Sequence, residues 1–394
     1  MNSHKLVILT FICFSCLGLP IGHESGFLGN TTSRPGDIGA ALVFPSATAF
    51  TKYDDIKIYF GLIYTRQEIG SIGDSELEGT GSSFESQFIP YFTGFAGELF
   101  GLTFTNFVTY SGTNNGQFDL NIPSISGGGK ANVQFEETVL GISVAKKYER
   151  FSLGASFSLE IQGSKTFSTF EGVSGGNTFL QTTNNITKFI IINSIISASY
   201  KEERHFFSAG LDFPGIKYSS SSRTETFLLE DGSGDVIRLK SENKPDYKSN
   251  TSLNLGYSYL SANWAPSVDL FYDLKNIDIN ISRNEDRNRA NFSDDVLIKF
   301  GLRSPELKLP TNRVFKGSTY SYLFGLQYRQ IDTVNESTDE ENTGRTYQFS
   351  FGFKLANRKT SPIFGVYYED EKSTSNSGSK VFGLMYSSNY NIFD

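Results

Sequence analysis

After residue 55 the hydrophobic positions of this chain recur with a period of two, segment after segment, and helical spacing hardly appears. In 151–161, Phe151, Leu153, Ala155, Phe157, Leu159 and Ile161 fall on one face of an extended chain, and Ser152, Gly154, Ser156, Ser158 and Glu160 on the other. The same two-faced reading holds for Phe207, Ala209, Leu211 and Phe213 against Ser208, Gly210 and Asp212. It holds again for Tyr320, Tyr322, Phe324, Leu326 and Tyr328, for Tyr347 through Leu355, and for Phe382, Leu384 and Tyr386. A glycine recurs on the polar face, as at Gly61, Gly141, Gly154, Gly210, Gly256, Gly325, Gly352, Gly365 and Gly383. Each segment therefore predicts a β-strand with one apolar and one polar side.

Alternation alone fits a soluble sandwich as well as a membrane barrel. Strand length separates them, because soluble strands cluster near five or six residues and a tilted membrane strand needs about 9–11. Many segments here are of the longer kind: 56–66, 84–94, 98–111, 134–146, 150–167, 187–200, 205–220, 248–260 and 265–282. Short turns (95–97, 147–149, 201–204, 261–264) alternate with long loops (67–83, 112–133, 168–186, 221–247), the asymmetry of a bacterial outer-membrane barrel. The alternation requires a weak strand at 295–303, with Ile298, Phe300 and Leu302 outward, followed by a long periplasmic turn 304–317 that contains Pro305 and Pro310. Segments 318–331, 345–356, 362–371 and 380–392 complete an all-β, transmembrane antiparallel β-barrel of about 14 strands, with both ends on the periplasmic side. Closure follows from the solvent, since lipid cannot satisfy an open sheet edge.

Composition agrees with this picture. The 394 residues include 36 Phe, 20 Tyr and 38 Gly, the residue types of strands and tight turns. Lys5 precedes an apolar run, 6–19, that Pro20 breaks and Gly22 follows, which is the layout of a cleaved signal peptide over 1–22. Both cysteines, Cys13 and Cys16, lie inside it, so a mature chain has no thiol. Cys16 after Ser15 leaves lipidation open as an alternative.

A net charge of −7 with no basic block beyond Lys146-Lys147 argues against nucleic acid. Two separated histidines in the mature chain, His23 and His205, give neither a metal set nor a base poised beside a nucleophile, so no catalytic residue, no metal site and no cofactor is expected. The charged stretches 230–235, 283–289 and 332–341 read as solvated loops. The last segment, with Gly383, Tyr386, Tyr390 and Phe393, partly fits the closing strand of a barrel handled by the outer-membrane assembly machinery, although Asp394 ends it.

Between the leader and the first strand, residues 23–55 are small, apolar and not alternating. Here the chain resembles the FadL-type outer-membrane transporters of long-chain fatty acids and other hydrophobic compounds. Phe44-Pro45-Ser46-Ala47 looks like that family's Asn-Pro-Ala element, with Pro45 matched, Phe44 in place of Asn and Ser46 in place of Ala. The segments 140–156 and 252–264 are similar to its strand-turn-strand units. The resemblance implies a small N-terminal hatch or plug, 23–55, in the lumen of a barrel spanning 56–394, and passive uptake of a fatty acid or aromatic hydrocarbon. It also implies a monomer among outer-membrane lipid and lipopolysaccharide. Tyr59, Ile63, Phe271, Leu323 and Tyr367 sit on the inward parity and are candidate ligand contacts; packing around the plug is the alternative for all five. A general diffusion porin or a structural or adhesive surface protein is the competing function.

Overall fold

A two-residue repeat that hides its polar face from lipid can satisfy its backbone only by closing on itself. In the computed structural model it does so. The structure describes residues 23–391 apart from 29–30, 36, 52–56, 70, 73–77, 81–85, 122–125, 175–176, 231–235, 246–250, 275–290, 310–317, 336–339, 358–359 and 374–377. The expected leader, 1–22, and the charged stretch 283–289 lie outside the described residues.

The barrel strands are β1 (Lys57–Ile69), β2 (Ser86–Leu99), β3 (Leu102–Asn121), β4 (Ser126–Tyr148), β5 (Phe151–Ser174), β6 (Asn177–Glu202) and β7 (His205–Glu230). They continue as β8 (Thr251–Tyr259), β9 (Ala265–Leu274), β10 (Asn291–Arg303), β11 (Thr319–Asn335), β12 (Glu340–Ala356), β13 (Ile363–Ser373) and β14 (Gly378–Asn391). Neighbours pair antiparallel, and β14 returns to β1, from Lys57 opposite Asn391 to Ile69 opposite Ser379. The result is a closed 14-stranded barrel. The weak segment 295–303 is β10, paired with β9 and β11.

Burial follows the sequence parity. Phe157, Ile196 and Phe382 are 57%, 50% and 45% exposed, whereas the inward Ser152, Ser350 and Ser387 are at 0%. Trp264, Tyr148 and Tyr390 stand outward near the end of the barrel that carries the tight turns, as an interfacial aromatic girdle does. Two-residue turns at Phe100-Gly101, Glu149-Arg150 and Glu203-Arg204 join successive strands there, with φ of +54°, +49° and +50° at Phe100, Glu149 and Glu203. We call this the turn side and the opposite end the loop side.

The long loops expected from sequence are shorter than they read. β3 and β4 extend to Asn121 and Ser126, β5 and β6 to Ser174 and Asn177, and β7 to Glu230, where Val236–Asn243 pairs back onto it. Most of 112–133, 168–186 and 221–247 is therefore hairpin that prolongs the wall. The apolar period fades there because a strand that has left the lipid meets water on its outer face, while its Thr, Ser and aromatic residues keep it extended. Similarly β11 and β12 take up all of 332–341 except 336–339, and Leu307–Lys308 pairs with Thr319–Tyr320 inside the expected turn 304–317.

Candidate functional site

The described residues among 23–51 lie inside the barrel and include three short 3-10 helices, Ser25–Phe27, Ile38–Leu42 and Pro45–Phe50, and nearly every described side chain among them is buried. Too few backbone groups bond one another in such a segment, so the wall must supply partners. It does so with serines. Pro45 opens the last helix, and the next residue, Ser46, is gripped from two strands, β5 and β6: its N–H donates to Ser197 Oγ at 2.9 Å, its hydroxyl meets Ser199 Oγ at 2.7 Å, and its carbonyl accepts from Ser152 Oγ at 2.8 Å. Ser208 continues the chain of hydroxyls through Ser199 at 2.8 Å. These serines lie within six residues of the turns after β4 and β6, which places the plug toward the turn side.

A second grip is a wall carboxylate. Asp269 Oδ2 accepts from the N–H groups of Thr32 (2.5 Å) and Ser33 (3.2 Å) and from the Thr32 hydroxyl (3.2 Å). At the start of the plug, Lys354 and Arg34 both pair with Glu24, while the His23 ring lies between Ser387 and Ser361, 2.9 Å from each hydroxyl. Asp37 collects the N–H groups of His23, Ser25 and Gly39. Among these plug groups, burial lowers His23 to about 3, with Lys354 adding to the effect, so the ring is neutral. Burial pushes Asp37 up against its hydrogen bonds. For Glu24 burial acts upward, but Lys354 and Arg34 outweigh it and hold the carboxyl well below its ordinary value.

The inward glycines are the space the plug occupies. A Cβ on Gly352 would meet the Phe27 ring at 2.7 Å, one on Gly301 the Leu28 carbonyl at 2.8 Å, one on Gly210 the Val43 carbonyl at 2.9 Å and one on Gly94 the Ile38 side chain at 2.9 Å. Gly154 abuts the backbone of Pro45 and Ser46. Gly141 and Gly383 instead lie under wall aromatics, Phe107 and Tyr367, their cross-strand partners. Gly154→Val should disturb the plug by about 1–3 kcal/mol of overpacking and leave the barrel intact. The expected readout is increased ion conductance across planar bilayers with unchanged heat-modifiable migration; unchanged conductance would show that the contact is not restrictive.

Four of the five inward residues singled out from sequence meet in one cluster. Tyr59, Ile63, Leu323 and Tyr367 are buried with Phe27, Leu28, Ile38 and Ala41 of the plug. Phe271 stands apart, 6.4 Å from the Phe44 ring centroid. In the Phe44-Pro45-Ser46-Ala47 element, Phe44 and Ala47 pack with Phe206, whose ring also meets Phe50 edge-on at 5.1 Å. Phe206 and the serine ring were missed in sequence because, on the inward parity, they read as ordinary polar face and one stray aromatic.

Phe271 opens a different feature, a cavity of about 170 Å³. Its apolar lining is Leu42 and Val43 of the plug with Ile195, Phe271 and Leu297 of the wall. Its polar lining is Asp212, Ser252, Asn254 and Asp273. Each of these wall residues lies further from the turns than its strand's plug contact, as Asp273 does from Asp269 and Asp212 from Gly210. The cavity is thus on the loop side of the plug. Among the described residues no group of three or more His, Cys, Asp or Glu is arranged to hold a metal ion.

No protein-family model and no curated relative matches the chain. Its fold is that of solved FadL-type channels. The Pseudomonas putida toluene transporter TodX is 14% identical, with 95% of this chain and 99% of that one covered at a TM-score of 0.64. The Ralstonia pickettii toluene transporter TbuX is 12% identical over 95% and 99%, at 0.64. A Pseudomonas aeruginosa FadL homologue is 11% identical over 95% and 99%, at 0.60.

Proposed function

We propose that this protein is a bacterial outer-membrane channel for the passive uptake of hydrophobic small molecules, aromatic hydrocarbons or fatty acids, and not an enzyme. The observation that carries the reading is the plugged lumen with a partly apolar pocket against the plug. A barrel whose bore is filled from wall to wall by residues 23–51 offers little passage to sugars or ions, whereas an apolar solute gains by leaving water for Leu42, Val43, Ile195, Phe271 and Leu297. Structures of the same fold carry the descriptions toluene transporter and FadL homologue, which supports the reading. The outward apolar face suits lipid, and outer-membrane lipid, lipopolysaccharide and the barrel assembly machinery are the partners such a monomer would meet. In this account residues 23–55 act as the hatch, anchored through Phe44, Pro45, Ser46 and Ala47, and Tyr59, Ile63, Leu323 and Tyr367 hold it while Phe271 faces the solute.

The test is uptake of labelled toluene and labelled oleate by cells with and without the gene. Faster uptake of at least one with the gene is expected, and equal uptake of both would remove the proposal. Liposomes bearing the purified protein should show almost no swelling in arabinose, where a diffusion porin would give rapid influx.

A further inference from the structure

The outer face of the wall changes character along β4 to β7. From the turn side upward, the outward positions of β5 run Phe151, Leu153, Ala155, Phe157, Leu159 and Ile161, and β6 sets Tyr200, Ala198, Ile196, Ser194, Ile192 and Ile190 opposite them. Each run covers about the 9–11 residues a tilted strand needs to cross the hydrocarbon core. Directly above it the charges begin. Lys188 stands opposite Gly163, the next outward position after Ile161, and Lys165 stands opposite Ile186. The two exposed lysines are therefore diagonal neighbours on one face of adjacent strands, with about 7–8 Å between their backbone positions. Arg223 on β7 faces Ile186 from the other side and lies on the same face.

Like charges side by side on a sheet repel unless an anion lies between them. Neither ammonium has a hydrogen-bond or ion-pair partner among the described residues. The described carboxylates on this face at the same level are engaged or set apart. Glu225 pairs with Arg223 and Arg238, and Glu242 pairs with Lys240. Glu136 accepts from Gln134 at 2.9 Å and stands opposite Gly163 on the side away from Lys188. Between the two lysines Gly163 leaves a notch, since a Cβ there would meet nothing nearer than the Glu136 carbonyl at 4.0 Å. Below the notch, Phe157, Ile161, Ile192 and Ile196 form an exposed apolar slope.

We propose that this notch is a binding site for a phosphorylated glycolipid of the outer leaflet, the lipid A part of lipopolysaccharide, with one phosphate between Lys165 and Lys188 over Gly163 and acyl chains along Phe157, Ile161, Ile192 and Ile196. A free phosphate would gain the two ammoniums and nothing from the slope. A zwitterionic or uncharged lipid would gain the slope and leave the two lysines facing each other uncompensated. The occupant that fits both is an anionic headgroup held at the level of the membrane surface, which is where the apolar run ends. Arg223, whose partner Glu225 is shared with Arg238, borders the site as a third cation. The site is on the outer face of the wall, so it stands or falls separately from the uptake of solutes through the lumen.

The test is a native mass spectrometry titration of the full-length protein, freed of lipid in uncharged detergent, with lipid A carrying both phosphates and with the same lipid A after both are removed. The phosphorylated form is expected to bind about thirtyfold more tightly, the combined effect of two cations at a membrane surface. Lys165→Gln with Lys188→Gln should bring the two lipids to within about threefold of each other, whereas Lys165→Arg with Lys188→Arg should keep the preference. Lys146→Gln with Lys147→Gln, the basic pair on the turn side, should leave it unchanged. Heat-modifiable migration should be normal throughout, as these lysines are exposed. Inorganic phosphate at the same concentration as the lipid should displace none of it. Equal binding of the two lipids to the wild type, a preference that survives the exchange of Lys165 and Lys188 for glutamine, or one that falls as far in the turn-side variant would each overturn the site. Displacement by inorganic phosphate would assign the notch to a free anion and overturn it too. The wild-type comparison is decisive even where a variant fails to fold.

Discussion

Deletion of residues 23–51 is expected to produce a protein that still forms a heat-modifiable barrel but passes small sugars freely. The wall closes through β1 and β14 without the plug, whose contacts with it are side-chain to side-chain or side-chain to backbone rather than ladder bonds. Removing it empties a 14-stranded bore lined by Ser, Thr, Gly and acidic residues, and water fills such a lumen. Liposome swelling in arabinose should rise from near background to a rate typical of a general porin, an increase of about tenfold or more. A deletion protein that assembles yet stays impermeable would show that the described plug is not what closes the bore.

Asp269→Ala should have the next largest effect. The substitution leaves the N–H groups of Thr32 and Ser33 and the Thr32 hydroxyl without the acceptor they share, in a place where all three residues are buried. Each orphaned buried donor costs about 1–3 kcal/mol, so the middle of the plug should detach locally. Hydrogen exchange of the Thr32 and Ser33 amides should speed up by about two orders of magnitude or more, with the barrel amides unchanged. Asp269→Asn retains an acceptor oxygen and should recover much of the protection. Protection unchanged in the alanine variant would mean that Asp269 does not hold the plug.

How much of this was legible beforehand follows from which forces act along one strand and which act between strands. The period-two pattern of Phe151 to Ile161 or Tyr347 to Leu355 is imposed by lipid on every strand separately, so it can be read from the chain alone, and it led to all fourteen strands, including the weak one at 295–303. The extension of β3 to β7 beyond the lipid was missed, because there the outer face is wet and the pattern that marks a strand disappears. The plug's place in the lumen came from a resemblance, and its contacts did not come at all. Ser152, Ser197, Ser199 and Ser208 look like any polar face until register brings them around Ser46. Asp212 and Asp273, 61 positions apart in sequence, become a pair only because both stand opposite Ser252. Such information belongs to the alignment of three strands and is contained in no one of them.

The moulding of the plug to the inward glycines also sets an order in time. His23, near the beginning of the described chain, bonds Ser387 on β14, and the neighbouring Tyr59 belongs to β1, so the first residues find their seat only where the last strand meets the first. Gly154, Gly210, Gly301 and Gly352 are hollows spread around the whole circumference, and they form one mould only after every strand is in register. Closure of the barrel must precede seating of the plug. A newly inserted barrel would then be transiently leaky, and the interval between gaining heat-modifiability and losing permeability to arabinose would measure how long the plug takes to find its place.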